Sequence, residues 1–244
     1  MATNRPGYSD RTALKSEFFS AVEWDKSNLQ EIDITGTELT TECLIDFLTR
    51  VPSLRYLGAG QQDAFNDLVM KEFIEKGNYK DLIALDVDRN ENISEEMLET
   101  FLRLQGPKLR GLQLSGIPHL AEQFWVSIMP LCKNLEILII GMPEGCCQKV
   151  QSKVHVDSLI DGIANNCPKM ERIEARWDSD TLRFSDRSSK AIDAIRIKCL
   201  KLKCLVLSDG TYFEMVKSNF DRADRTTVVR WAALDGISVS PKAL

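Results

Sequence analysis

The chain has 244 residues, 43% of them hydrophobic and 27% charged, a globular composition that excludes the disordered class. Its net charge of −5 is uneven: residues 1–104 hold 11 Lys and Arg against 20 Asp and Glu, whereas residues 105–244 hold 20 against 16. An acidic half argues against nucleic acid as the main partner, since phosphate binding needs a basic face, and fits steering of a charged protein partner.

Residues 1–12 contain no apolar stretch of the signal-peptide kind, and no run approaches the ~18 apolar residues of a membrane span. The cysteines (Cys43, Cys132, Cys146, Cys147, Cys167, Cys199 and Cys204) are odd in number and lie in mostly apolar surroundings. Together these features predict free thiols and a cytoplasmic or nuclear location.

Along the chain, residues 12–27 read as a capping helix or the helix of a truncated first unit. A phrase of apolar, two variable, apolar, one variable, apolar then recurs seven times. It appears as Leu29-x-x-Ile32-x-Ile34, Leu54-x-x-Leu57-x-Ala59, Leu82-x-x-Leu85-x-Val87 and Leu109-x-x-Leu112-x-Leu114, and continues as Leu135-x-x-Leu138-x-Ile140, Met170-x-x-Ile173-x-Ala175 and Leu202-x-x-Leu205-x-Leu207. Successive starts are 25, 28, 27, 26, 35 and 32 residues apart.

The last three positions of each phrase alternate with the period of a strand. Between phrases the apolar spacing is helical, as in Leu44, Phe47, Leu48 and Val51, or Met97, Phe101 and Leu104. Ser94 before Glu95 and Glu96 reads as an N-cap with acids at the positive helix end. Each unit is thus one strand plus one helix with a single apolar side, and it can bury that side only by stacking on neighbours. The reading is an α/β solenoid of about seven irregular repeats over residues 28–215, with a parallel sheet on the concave side and helices on the convex side. Residues 1–27 are an N-terminal cap and 216–244 a C-terminal cap and tail. The long intervals at 144–153 and 178–187 are loops.

The phrases Leu131-Cys132-Lys133-Asn134-Leu135 and Asn166-Cys167-Pro168-Lys169-Met170 lead into strands. With a repeat near 26 residues, they resemble the cysteine-containing leucine-rich repeats of F-box/leucine-rich-repeat proteins and AMN-type proteins, which have a ribonuclease-inhibitor-like fold. The resemblance implies partner or substrate recognition of the kind found in ubiquitin-ligase receptors. An F-box is not legible here, because residues 12–27 are too short for one. In the family, Cys or Asn usually stands three places after the last strand apolar. Here those positions are Thr37, Gln62, Asn90, Ile117, Pro143, Asp178 and Gly210, so only Asn90 fits and the ladder reads as degenerate.

Asp86, Asp88, Asn90 and Asn92 imitate a calcium loop, but Glu91 stands where the turn glycine belongs and Met97 where the bidentate Glu belongs. Cys146, Cys147, His155 and Cys167 match no paired zinc spacing. With His119 and His155 as the only histidines, no catalytic constellation is legible, and no glycine loop of the GxxxxGKS or GxxxxGKT type occurs. The expectation is a non-enzyme without cofactor or metal.

Variable positions alternating with the core apolars face away from the helices. They place Glu31, Asp33, Asp86 and Asp88 in an acidic patch, with Tyr56 in the repeat between. They place Ile137 and Ile139 in a bare apolar strip, unless the 144–153 loop or the tail covers it. Arg172, Glu174 and Arg176 follow, with Trp177 just beyond. Arg and Trp concentrate binding energy at interfaces. The expected partner is a protein on the concave face of a monomer, with no nucleic acid and no membrane, and a ubiquitin-ligase complex is implied by resemblance alone. A free-standing scaffold or inhibitor is an alternative. So is a regulator of an enzyme such as a GTPase, which would need a catalytic Arg or Asn on a rim loop; none is marked.

Overall fold

The computed structural model describes residues 16–120, 122–142, 156–177, 186–207, 210–222 and 226–231. The loops expected at 144–153 and 178–187, with Pro143, Cys146, Cys147, His155 and Asp178, lie outside them, except that 186 and 187 open a helix. So does most of the expected tail.

All seven phrases form strands: β1 (Glu31–Asp33), β2 (Tyr56–Gly58), β3 (Ala84–Asp86), β4 (Gly111–Gln113), β5 (Ile137–Met142), β6 (Arg172–Trp177) and β7 (Cys204–Leu207). An eighth, β8 (Val228–Trp231), falls in the segment read from sequence as cap and tail. The eight pair in chain order in one parallel sheet. Helices follow the same order: α1 (Ser16–Ser20), α2 (Thr41–Arg50), α3 (Asp67–Lys76), α4 (Glu95–Gln105), α5 (Glu122–Ile128), α6 (Val156–Asn166), α7 (Asp186–Lys198) and α8 (Gly210–Asp221). Each packs on the next. Right-handed crossovers between parallel strands that always advance in one direction put every helix on the same side. Among the described residues the result is a solenoid-like α/β stack with one helix-covered face and one helix-free face.

The central strand position forms a column in register: Ile32, Leu57, Leu85, Leu112, Leu138, Ile173, Leu205 and Val229. Leu57, Leu85, Leu112 and Leu138 are completely buried. Against them lie Leu44, Phe47 and Leu48 of α2, Val69, Met70 and Phe73 of α3, and Leu98, Phe101 and Leu102 of α4. The α4 face is turned from the one read in the sequence. Leu98 and Leu102 are buried, whereas Met97 is half-buried and Leu104 exposed. Leu98, Phe101 and Leu102 stand at i, i+3 and i+4 and so share the buried face. Helix starts are fixed by side chains: Thr40 accepts from the Cys43 N–H, Asn66 from those of Leu68 and Val69, and Ser94 from that of Met97. At the N-terminal end, Phe19 and Trp24 pack on Phe47 with ring centroids 5.1 and 4.7 Å away, closing the first unit's core.

The turn after each of the first four strands repeats one device. Gly36, Gln61, Arg89 and Gly116 all have left-handed backbone, with φ of 67°, 51°, 54° and 71°. Each donates its N–H to the next unit's backbone, with acceptors Gly60, Asp88, Ser115 and Gly141 at 2.6–2.9 Å. The following residue turns inward. Here the degenerate ladder of the sequence reading is corrected. Asn90 Oδ1 accepts from the Gln62 N–H at 2.9 Å, and its Nδ2 donates to the Ala59 carbonyl at 2.6 Å. Gln62 Nε2 in turn donates to Thr37 Oγ1 at 2.5 Å. Gln62 Nε2 also donates to the Ile34 carbonyl at 3.3 Å, the counterpart of Asn90 on Ala59, and Thr37 Oγ1 donates to Ile34 at 2.8 Å; the ladder stops where buried Ile117 replaces them.

A second ladder precedes the later strands. The buried Cys167 thiol donates to the Cys132 carbonyl at 3.6 Å, and the Cys199 thiol to the Cys167 carbonyl at 3.7 Å.

Candidate binding face

The helix-free face is built from the residues flanking the central column. Its first row runs Glu31, Tyr56, Ala84, Gly111, Ile137, Arg172, Cys204 and Val228. Its second row runs Asp33, Gly58, Asp86, Gln113, Ile139, Glu174, Val206 and Arg230. Parallel strands stand ~4.8 Å apart, so row neighbours are within side-chain reach.

At the N-terminal end the acids do converge. Asp33 Oδ1 accepts from the Thr35 N–H and Asp86 Oδ1 from the Asp88 N–H, both at 3.0 Å, so each carboxylate caps its own turn. Gln61 Nε2 donates to Asp88 Oδ2 at 3.3 Å. A Cβ at Gly58 would stand 2.6 Å from the Tyr56 hydroxyl and 2.8 Å from Asp33 Oδ1, so a larger residue there would displace these two side-chain ends. Asp86 is only 7% exposed. Burial above all, and then the charges of Asp88 and Asp33, push its carboxyl up to about 7 against the pull of the Asp88 N–H.

The expectation that this face is openly solvated needs correction. Glu31 and Asp33 are exposed and Asp88 is half-buried, but Tyr56 is buried like Asp86. The apolar strip is not bare: Ile137 is buried and Ile139 has no exposed surface. Both lie outside the core between sheet and helices. Ile139 is flanked in its row by Gln113 and Glu174, and Ile137 has Arg172 beside it. Glu174 is completely buried and pairs closely with the half-buried Arg172. Arg172 Nε is buried without a hydrogen-bond partner among the described residues. Arg176 belongs to β6, as its alternation indicated, and the strand also takes in Trp177, the two standing opposite Gly141 and Met142.

The structure adds Gln113 and Arg230 to the face. Gln113 stands on the outward rows in the sequence, but only its burial and its unpartnered Oε1 single it out. Arg230 follows Thr226 and Val229, too weak a phrase to be found by its apolar residues. Asn90 is committed to the ladder on the core side, so the apparent calcium-loop ligands Asp86 and Asn90 point to opposite faces. Among the described residues no three metal-ligating side chains gather, and no helix is long and apolar enough to cross a membrane. His119 Nε2 lies 2.7 Å from the Ile93 carbonyl and ties adjacent units together.

No family model and no curated protein matches the chain. One solved structure that is similar is described as "Crystal structure of Rad7 and Elc1 complex in yeast". Identity is 13%, the match covers 80% of this chain and 67% of that chain, and the TM-score is 0.45.

Proposed function

We propose that the chain is a leucine-rich-repeat module of the cysteine-containing kind and acts without catalysis, by binding a protein across its helix-free face. The observation that carries this reading is the change of charge along that face. Glu31, Asp33, Asp86 and Asp88 lie at β1 to β3, and Arg172, Arg176 and Arg230 at β6 to β8. Such a gradient orients a partner as well as attracting it. The partner's basic part lies over the acids, and its apolar or acidic part meets Arg172, Arg176 and Trp177. The resemblance to F-box/leucine-rich-repeat receptors supports a role in recognising a partner or substrate for a larger complex.

The test needs a partner isolated by affinity purification and then binding kinetics with purified proteins. Arg176→Ala combined with Trp177→Ala should speed dissociation and cost on the order of 2 kcal/mol or more if these are anchors. Asp86→Asn combined with Asp88→Asn should slow association and flatten its salt dependence. Unchanged kinetics in both variants, at unchanged melting temperature, rule the face out.

A further inference from the structure

The turns that lead into β4, β5, β6 and β7 concentrate positive charge. Residues 107–110, 132–136, 167–171 and 199–203 hold Lys108, Arg110, Lys133, Lys169, Lys201 and Lys203 against two acids, Glu136 and Glu171, in a chain whose net charge is −5. Stacking brings these turns together. The Glu136 N–H donates to the Arg110 carbonyl, the Glu171 N–H to that of Glu136 and the Lys203 N–H to that of Glu171, each at 2.8 Å, so the four strands start in one row. The thiol ladder from Cys199 through Cys167 to Cys132 fastens the turns that carry Lys201, Lys169 and Lys133 to one another. Both acids are already taken, Glu136 by Arg110 at 2.6 Å and Glu171 by Lys203 at 2.5 Å. The Arg110 hydrogen bond above all, then the charges of Arg110, Lys169 and Lys201, hold the Glu136 carboxyl below its ordinary range against the effect of burial, so cations of three units converge on it. Lys108 donates to the Lys80 carbonyl at 2.9 Å. Lys133, Lys169 and Lys201 are exposed, and among the described residues their ammonium groups have no ion pair or hydrogen bond.

We propose that this row of turns binds an acidic segment of a partner protein, laid across the starts of β4 to β7 with its carboxylates on Lys133, Lys169 and Lys201. Like charges held on stacked turns repel one another, and an arriving anionic chain relieves that repulsion. Each lysine presents a point charge on a flexible stem, so the row selects charge rather than one fixed geometry. Its length suits a short peptide. Four strands ~4.8 Å apart span ~14 Å, the reach of about four extended residues at ~3.3 Å each. A nucleic acid fits less well, because its charge continues past so short a row toward the half of the chain with 20 acids against 11 bases. The four turns also hold no aromatic side chain on which bases could stack.

These turns lie where the strands begin, so the inference does not depend on the reading of the helix-free face. The full chain is titrated with an acetylated and amidated peptide of four Glu-Gly pairs, with its Gln-Gly counterpart, and with a single-stranded oligothymidylate. Backbone amide shifts are followed by NMR. The Glu peptide should give saturable shifts centred on residues 132–136, 167–171 and 199–203, weakening as salt rises, and the Gln peptide none. Lys133→Gln, Lys169→Gln and Lys201→Gln together should weaken binding about ten-fold, since three exposed ion pairs are lost at once. Lys26→Gln, Lys71→Gln and Lys76→Gln together remove the same charge from exposed positions elsewhere and should leave the affinity within about two-fold. Unchanged amide shifts at β1 to β3 check the fold of the first triple variant, and unchanged shifts at β4 to β7 that of the second. No saturable shift, equal responses to both peptides, or equal affinities in the two triple variants would each overturn the proposal. So would an oligothymidylate that binds these turns more tightly than the Glu peptide, which would make nucleic acid the ligand.

Discussion

Asp86 points to the helix-free face, whereas Asn90, four residues on, is turned into the core and bonds backbone groups of the preceding unit. The two acids and amides that look alike in sequence therefore have opposite roles. Asn90→Ala would leave the Gln62 N–H and the Ala59 carbonyl unpaired where water does not reach, costing on the order of 2–4 kcal/mol by urea denaturation. A loss no larger than that of an exposed Asn→Ala change would show that the ladder contributes nothing. Asp86 gives a pH signature. Its folded carboxyl titrates at about 7 against an ordinary 3.8, so folding favours the protonated form. Its contribution is fully present below pH about 4 and is lost as pH rises through about 7. Asp86→Asn should remove that downward slope from the stability curve. An identical slope in the variant would assign it to another group.

At the scale of the element, short strands survive because both ends are fixed. Strands of three residues carry few ladder bonds, and the left-handed turns extend the pairing by one more N–H per unit. Gly116→Ala puts a side chain on backbone with φ of 71° and brings its Cβ to 2.6 Å from Arg89 Cγ. The conformational part alone should cost ~1–2 kcal/mol. Helix α4 depends on its cap: Ser94→Ala frees the Met97 N–H and should cost ~1 kcal/mol. Ser94→Asp should restore most of it. Thermal melts of the three variants check both statements, and a Ser94→Asp variant no better than Ser94→Ala would deny the cap its role.

Over the whole molecule, each unit buries its apolar side only against its neighbours, so damage in one spreads to the next. Leu112 sits mid-column between Leu85 and Leu138, and Leu112→Ala should cost ~2–5 kcal/mol because the flanking strands cannot collapse into the cavity. The same stacking protects the thiols. Burial pushes Cys132 and Cys167 up to about 12, the latter also through Cys132 and Cys199. The reactive thiolate is therefore scarce at neutral pH. Both should resist thiol labelling in the native protein and react at the rate of unfolding when denaturant is added, read by mass spectrometry. Fast labelling of either without denaturant would mean that the C-terminal stack opens locally.

Much of this architecture was legible in the linear sequence because a stacked parallel array repeats a local rule. The phrase from Leu29 to Leu207 marks seven strands, and alternation assigns the core column and the outward rows correctly. What the sequence could not decide depends on lateral neighbours. Alternation says that Ile139 and Glu174 face away from the helices, but only the register puts Gln113, Ile139 and Glu174 side by side, and only the tertiary structure shows all three buried. The eighth strand was hidden because Thr226 stands where the phrase opens on an apolar residue, although Val229 and Trp231 fill the other two places, and parallel pairing with β7 supplies what the phrase lacks. The ladder through Thr37, Gln62 and Asn90 was hidden for a related reason. Three different side chains each donate to a carbonyl that ends a strand, and only the distance each must span, set by the tertiary stack, shows it.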